Sequence, residues 1–409
     1  MTSPLSHPDL TNPDEALAHI LAQLSPLPHP ERAPLAEALG RVLYQDIPVP
    51  ADVPPCDNAA VDGYALRTAD LVPGQPLPVS ARITAGQAPE PLLPGTAARI
   101  FTGAPVPPGA DAVVMQENTE PHPAGVMILS PVSRQQNIRP QGQDLRAGDR
   151  ALTRGTRLRA QELGLLASLG IAQVAVHRQL TVGILTTGNE LVEPGKPLAP
   201  GQIYNTNRFT LLGLLQQLGC QIRNYGDVAD TLADTLSALR QAASETDLII
   251  SSGGVSVGEE DHVRAAMMQL GELSLWRLAL KPGKPLAFGQ VDGTPMLGLP
   301  GNPAAVLVTF LVIGVPVIRT LQGAQQMPPR PQPLPSAFSV TKPSIRREYV
   351  RARRELHQGQ WQVVAYPNQS SGMLSSACWA EGLAVVPEHS TLAPGDTVAF
   401  LSFNELMGV

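Results

Sequence analysis

Residues 247–263 read DLIISSGGVSVGEEDHV, an apolar run that ends in serines and glycines and then in three acids. Gly253 and Gly254 leave room for backbone N–H groups to approach an anion, and Ser251 and Ser256 flank them. The turn is not a P-loop, because no Lys-Ser/Thr follows Gly258. Nor is it a dinucleotide-binding turn, because Val255 stands where the second glycine would. Glu259, Glu260 and Asp261 would repel the anion that this backbone invites. Like charges about 4 Å apart cost on the order of 4 kcal/mol at an effective dielectric near 20. A helix N-terminus returns only about 0.3–1 kcal/mol. A divalent cation between carboxylate and phosphate resolves the conflict, in the manner in which Mg²⁺ is commonly held. Asp261, with Asp230 on the neighbouring loop, is the expected metal pair. Glu259 and Glu260 suit the first turn of a helix equally well.

Further charged residues sit at stiffened positions. LKPGKP mounts Lys281 and Lys284 on a turn held by Pro282 and Pro285, and two ammonium groups so placed call for an oxyanion between them. GLPGNPAA begins a helix with Asn302 at the cap and Pro303 in the first turn. Its open N–H groups suit an anion, and the same residues would also cap an ordinary core helix. PPCDNAAVDGYAL sets Asp57 and Asp62 about a turn, and NIRPQGQDLRAGD carries Arg139 and Asp144 in an exposed loop. SIRREYVRARREL alternates Arg351 and Arg353 on one strand face, within a run of five arginines over 346–354 that reads as solvated surface or as a phosphate contact. NQSSGMLSS (368–376) is a hydroxyl-rich loop.

A competing chemistry lies in GVSVG at 254–258, the nucleophile-elbow pattern of serine hydrolases. Ser256 would be the nucleophile, with Asp292 and His389 following in the usual order. Against it, EEDHV follows where small apolar residues are needed, and His389 lies beyond a proline-rich linker.

The elements that must hold these residues follow from periodicity. PDEALAHILAQL and PLAEALGRVL read as two helices in the first 45 residues. From about 47 to 150, short apolar runs alternate with Pro and Gly, the pattern of a β-rich domain. AQELGLLASLG (160–170) returns to helix, so the β region reads as an excursion from a helical part. From 179 to about 325 strands and helices alternate, which implies a mostly parallel sheet with helices on both faces. The loops at the carboxyl ends of such strands bind ligands. Here they are TTGNELVEPG, GDVADT, SSGGVSVGEED and KPGKP, all polar, glycine-rich or charged. After the linker QQMPPRPQPLP (325–335), four strand-like stretches point to a small β-barrel or sandwich.

With 409 residues, two to four domains are expected. Aromatic residues are only 4%, so aliphatic side chains must fill the cores. A net charge of −6 excludes the broad basic surface of general nucleic-acid binding. Cys56, Cys220 and Cys378 are far apart in sequence and form no CxxC pair, which suits a reducing compartment. No signal peptide is visible, and the apolar run 304–318 is broken by Thr, Gly and Pro and shorter than the roughly 18 residues of a membrane span. A cytoplasmic protein, with neither nucleic-acid nor membrane partner, is expected.

Eight of these stretches, in order, resemble the molybdopterin molybdenumtransferase family, the MoeA proteins and the gephyrin E domain. They are PPCDNAAVDGYAL, RIFTGAPVPPGADAVVMQE, NIRPQGQDL, GILTTGNEL, SSGGVSVGEEDH, LALKPGKPLAFG, GLPGNPAA and EYVRARRE. The resemblance implies insertion of molybdate into adenylylated molybdopterin with release of AMP and with Mg²⁺ as cofactor. It also implies an elongated homodimer that passes its product to other proteins of the pathway, with the cleft formed between the α/β subdomain of one protomer and the β subdomain of the other.

Carried over residue by residue, Glu190, Asp230 and Asp261 match acids lining the pterin and metal site. Asp57, Thr102, Arg139 and Asp144 match the partner-facing side. Lys281, Lys284, Pro300, Pro303, Arg351 and Ser371 match the phosphate and molybdate side. Family members often carry a bulky apolar residue in place of Cys56 and Ser in place of Ala59. The implied fold class is multidomain α/β plus β. It comprises a helical N-terminal subdomain (1–46 and 148–177), a β-rich excursion (47–147), a doubly wound, mostly parallel α/β molybdopterin-binding subdomain like the molybdopterin-adenylylating proteins (178–327) and a C-terminal β-barrel (328–409). A non-catalytic molybdopterin-binding scaffold is the alternative function within the same fold.

Overall fold

A computed structural model describes residues 10–228, 231–254 and 262–408. The sequence-derived residues Asp230, Ser256, Glu259, Glu260 and Asp261 lie outside the described residues.

The chain opens with helix α1 (Pro13–Ala22), capped by Asn12, whose side chain accepts from Asp14 N at 2.8 Å. Its buried residues Ala16 and Ile20 belong to the core of the α/β part. Strands β1 (Pro30–Pro34) and β2 (Ile47–Pro48) follow. The second helix expected over PLAEALGRVL does not form; only a single 3₁₀ turn, Leu35–Glu37, is present. The cause is tertiary pairing: Leu43 N donates to Thr156 O, and Val42 and Leu43 bridge to Arg157 and Val176. Those bonds, with the left-handed Gly40 (φ 77°), override local helix propensity.

The β region comprises β3 (Asn58–Ala59), β4 (Gly63–Leu66), β5 (Val79–Ile83), β6 (Ala97–Ile100), β7 (Ala112–Met115), β8 (Thr119–His122), β9 (Gly125–Ile128) and β10 (Ile138–Arg139). Four of them form one sheet in the order β5-β6-β4-β7, and β10 pairs with β3. The chain then returns through β11 (Arg150–Leu152), α2 (Ala160–Ser168) and β12 (Gln173–His177), with β11 pairing β2 and β12 pairing β1. The returning part is therefore stitched mainly by strands, with α2 as its helix, and shares one small aliphatic core around Leu43, Leu158 and Leu166.

The α/β part holds β13 (Thr181–Thr187), β14 (Leu191–Val192), β15 (Ile203–Tyr204), α3 (Thr206–Gln217), β16 (Gln221–Val228), α4 (Leu232–Glu245), β17 (Leu248–Ser252), α5 (His262–Leu270), β18 (Leu273–Arg277), β19 (Leu280–Lys281), β20 (Pro285–Val291) and β21 (Thr294–Leu299). Its sheet runs β16-β13-β17-β21-β20-β18. The three pairings from β16 to β21 are parallel, and the two from β21 to β18 are antiparallel. The reversal comes from the two-residue turn Asp292-Gly293, both at positive φ (47° and 83°), the geometry of a hairpin rather than a crossover. Alternation along the strands feeds two cores, Ile184 and Ile250 to one face, Leu185 and Ile249 to the other.

Helix α6 spans Pro303–Leu321 without interruption. Its turn at Phe310–Gly314 widens to π geometry, because Pro316 has no N–H to return to the carbonyl of Val312. Its 19 residues are long and apolar enough to cross a membrane, in contrast to the shorter run read from sequence, yet 72% of its most apolar window is buried inside the protein as core.

Strands β22 (Gln332–Pro335), β23 (Arg347–His357), β24 (Gln360–Ala365), β25 (Gly382–Val386) and β26 (Thr397–Ser402), with short helices α7 (Ser375–Trp379) and α8 (Phe403–Met407), complete the chain. The sheet order is β19-β23-β25-β26-β22, and β24 pairs on β23. A bridge between Ser336 and Val363 brings the β22 end back to β24, so the sheet curls around Val350, Ala352, Val363 and Phe400. Strand β19 thus lies within the α/β sequence but pairs into this last sheet.

Candidate functional site

The parallel strands β13, β17 and β21 end level with one another, Thr186 beside Ser252 and Ser252 beside Leu299. Beyond those ends a cleft of about 740 Å³ opens between the α/β part and the last β part. Of the sequence-derived residues it gathers Glu190, Gly253, Lys281, Lys284, Pro300, Pro303 and Ser371.

The loop after β17 leaves the sheet through two left-handed residues, Gly253 (φ 87°) and Gly254 (φ 66°). A Cβ on Gly254 would lie 2.6 Å from Val263 Cγ2, so only glycine lets this loop pack on α5. Ser252, not Ser251, faces the cleft. Consecutive strand residues point to opposite faces, and Ser251 is wholly buried away from it, correcting its expected substrate contact. Glu190 folds back over Gly188, where a Cβ would come within 2.5 Å of its carboxylate.

The cations differ from expectation in two respects. Lys281 Nζ already donates to Glu348 Oε1 at 2.9 Å, because β19 and β23 pair Lys281 with Glu348. Lys284 and Arg346 also line the cleft. Arg351 does not line it but stands behind the 369–371 loop, 1% exposed. Its Nε donates to Ser376 Oγ (3.0 Å) and its Nη2 to Ser370 O (2.9 Å). Burial pushes its pKa down, and no carboxylate pairs with it among the described residues. Arg353, by contrast, pairs with Glu355 and stacks on Trp379.

The start of α6 also departs from the sequence reading. Its N–H groups are largely used: Ala304 N donates to Ser371 O (2.9 Å), and Ala305 and Val306 N to Asn302 O (3.0 and 2.9 Å). Pro300 and Pro303 therefore contribute a rigid wall and a helix dipole rather than open donors.

Asp57, Thr102, Arg139 and Asp144 lie in the β region and do not line this cleft. Asp57 Oδ1 accepts from Gln141 N at 2.8 Å, and Arg139 pairs with Asn58. Thr102 is held through its N and Oγ1 by Asp62 Oδ1, at 2.8 and 2.7 Å. Those two donors hold the Asp62 carboxyl below its ordinary pKa. Asp144 N donates to Val53 O. β3 and the loops around it thus bring the four to one edge. Sequence reasoning passed over Asn207, Ser252, Gln369 and Ser370, which line the cleft. The available signal was the glycine beside Ser252 in SSGG and beside NQSS; NTN offered only its polar residues.

The hydrolase arrangement fails. Asp292 sits in the turn before β21, at the end of the sheet opposite the loop that follows Ser252. His389 is exposed in the last β part, its N–H bonded to Ser344 O.

For a metal, no group of three or more His, Cys, Asp or Glu side chains occurs among the described residues. Glu190 supplies one hard oxygen ligand in the cleft, the donor type that Mg²⁺ takes singly or in pairs beside phosphate.

Comparison with known proteins bears on the whole chain. The profile described as "MoeA N-terminal region (domain I and II)" matches residues 11–170. "Probable molybdopterin binding domain" matches 183–320, and "MoeA C-terminal region (domain IV)" matches 333–403. A protein of Haemophilus influenzae named "Molybdopterin molybdenumtransferase" is 42% identical over 364 residues, 88% of this chain and 90% of that one. One of the same name from Nostoc is 39% identical, covering 83% and 81%. The crystal structure of a molybdopterin biosynthesis MoeA protein from Pyrococcus horikoshii superposes with a TM-score of 0.82 at 30% identity, over 96% of this chain and 100% of that one.

Proposed function

The chain belongs to the molybdopterin molybdenumtransferase family, a family of transferases of molybdenum cofactor biosynthesis, and from that premise we propose that it inserts molybdate into adenylylated molybdopterin with release of AMP. The observation that carries this reading is the cleft itself. One wall is an aligned set of strand ends with a glycine-rich turn, and the other is the 369–371 loop backed by the buried Arg351, which pairs with no carboxylate among the described residues. Lys284 and Arg346 in the lining, and Arg351 behind it, supply the positive charge that an oxyanion and a pyrophosphate need. Lys281 adds to it once Glu348 yields.

Catalysis here is positioning and charge neutralisation. Gly253 and Gly254 bring backbone close to the guest, Ser371 and Lys284 orient the oxyanion, and Pro300 and Pro303 exclude water along one wall. Mg²⁺ is proposed as cofactor, with Glu190 in the cleft and Asp230 and Asp261 from the adjoining segments as its carboxylates. When bound, it would offset the charge of the pyrophosphate. We further propose a homodimer in the cytoplasm in which Asp57, Thr102, Arg139 and Asp144 of one protomer face the cleft of the other, and from which the product passes to other proteins of the pathway.

The test is incubation of the purified protein with adenylylated molybdopterin, molybdate and Mg²⁺. Mass spectrometry should show AMP and protein-bound molybdopterin carrying one molybdenum. Intact adenylylated guest after prolonged incubation would overturn the reading.

A further inference from the structure

Five arginines fall within residues 346–354, and contacts within the fold occupy four of them. Arg347 is held by Asp14 and Glu388, Arg353 by Glu355 and Arg354 by Glu381. Arg351 is buried, its guanidinium bonded to Ser376 and Ser370. Arg346 differs from all four. It is half-buried in the lining of the cleft, and its backbone N donates to Ser344 Oγ at 3.1 Å. Its guanidinium has neither a hydrogen bond nor an ion pair among the described residues. The other charged side chains in that lining are Glu190, Lys281 and Lys284. Because Glu348 takes Lys281, the cations left without a carboxylate are Lys284 and Arg346.

The mounts of these two adjoin. Leu278 N donates to Lys284 O at 2.7 Å, and Arg347 N donates to Ala279 O at 2.8 Å, so the segment 278–279 runs between them. Each such pairing spans about 5 Å, which sets the backbones of Lys284 and Arg346 roughly 10 Å apart, a gap that two long side chains can close on one small ion. The Lys284 turn is stiff, since a Cβ on Gly283 would come within 2.3 Å of Thr309 Oγ1 on α6. An isolated arginine on open surface is content in water. Two unneutralised cations mounted side by side in a cleft repel each other, and an oxyanion shared between them removes the conflict.

We propose that Lys284 and Arg346 together grip one oxyanion of the guest, Arg346 through the planar fork of its guanidinium. The pair expected at Lys281 and Lys284 is thereby replaced by Lys284 and Arg346. The inference rests on the function proposed above, which brings two kinds of oxyanion to the cleft: molybdate and the phosphate groups of the adenylylated guest.

Calorimetric titration of the parent, Arg346→Gln and Lys284→Gln with molybdate alone and with AMP alone, at low and high ionic strength, tests this. Each variant should bind about tenfold more weakly at low salt, the worth of a charge-assisted hydrogen bond, and the gap to the parent should narrow at high salt. Both variants should weaken the same probe. Loss with molybdate assigns the pair to the oxometalate, loss with AMP assigns it to phosphate, and loss with both shows a grip on either. Arg346→Lys, which keeps the charge, should retain much of the salt dependence. Parent-like binding of both probes by Arg346→Gln would overturn the proposal. So would a gap that salt leaves unchanged, the mark of a residue that only braces the fold, or variants that weaken different probes. A parent that bound neither probe would overturn it as well. Failure of the functional reading is distinct: a parent that binds either probe yet leaves adenylylated molybdopterin intact sinks that reading and spares the pair.

Discussion

Lys281 shows how a neighbour decides what a charge can do. On its turn it is one of two ammonium groups stiffened by proline, but Glu348 takes up its charge at 2.9 Å. The carboxylate is 14% exposed and the lysine 45%, so the pair is partly screened and worth roughly 0.5 kcal/mol. Glu348→Gln should therefore release Lys281 toward the cleft and tighten molybdate binding about twofold to threefold, read by calorimetry at low ionic strength. Weaker binding would show that the pair positions Lys281 instead of neutralising it. Residue types were legible in the sequence, and so were the glycines whose φ values the loop after β17 demands. Pairing was not. Glu348 is 67 positions from Lys281, and nothing in either local stretch announces that β19 lies against β23.

Elements whose boundaries are written locally form where local chemistry places them. Thr231 caps α4 by accepting from Asp234 N, and Asn12 caps α1. The stretch PLAEALGRVL failed because its partners lie some 115 to 135 positions downstream, in the segment that carries α2 and β12. The antiparallel half of the α/β sheet had its signal in Asp292-Gly293, which the alternation of strands and helices masked. Helix α2 offers a test at this scale. Arg159 N and its guanidinium both bond the Glu162 carboxylate, at 2.8 and 2.6 Å, and the guanidinium bond is the main cause that depresses the Glu162 pKa below 4.5. A depressed carboxylate contributes stability that is complete above its unfolded pKa and lost as pH falls through the folded value. Glu162→Gln should thus cost about 1 kcal/mol at pH 7 in urea denaturation, with the gap to the parent closing below pH 4.5. A gap that stays constant down to pH 3 would show that packing, not charge, holds the turn.

At the scale of the molecule, four charged or hydroxylic residues gather on the β region and seven cleft residues on the α/β and last β parts. The homodimer proposed above would make these two groups complementary across a twofold axis. Asp57→Asn and Lys284→Ala, each poorly active alone, should recover activity when the two proteins are mixed and allowed to exchange subunits. Random mixing leaves about one intact cleft in four, so roughly a quarter of parent turnover is the expected ceiling. No recovery after demonstrated exchange would place both groups in the same protomer's site. The order of parts along the chain could be read from composition and punctuation. Which surfaces meet could not, since that depends on pairings over more than a hundred residues.

Strand β19 gives the architecture its last consequence. Although it is encoded before the final segment, it is woven into that segment's fabric beside Arg347 and Glu348. The two halves of the cleft are basted along this seam and cannot gape there like a clamshell without tearing hydrogen bonds. Any opening of the cleft must therefore take place away from this seam. Backbone amides at 280–281 should accordingly resist deuterium as long as those of the last sheet, whatever fills the cleft.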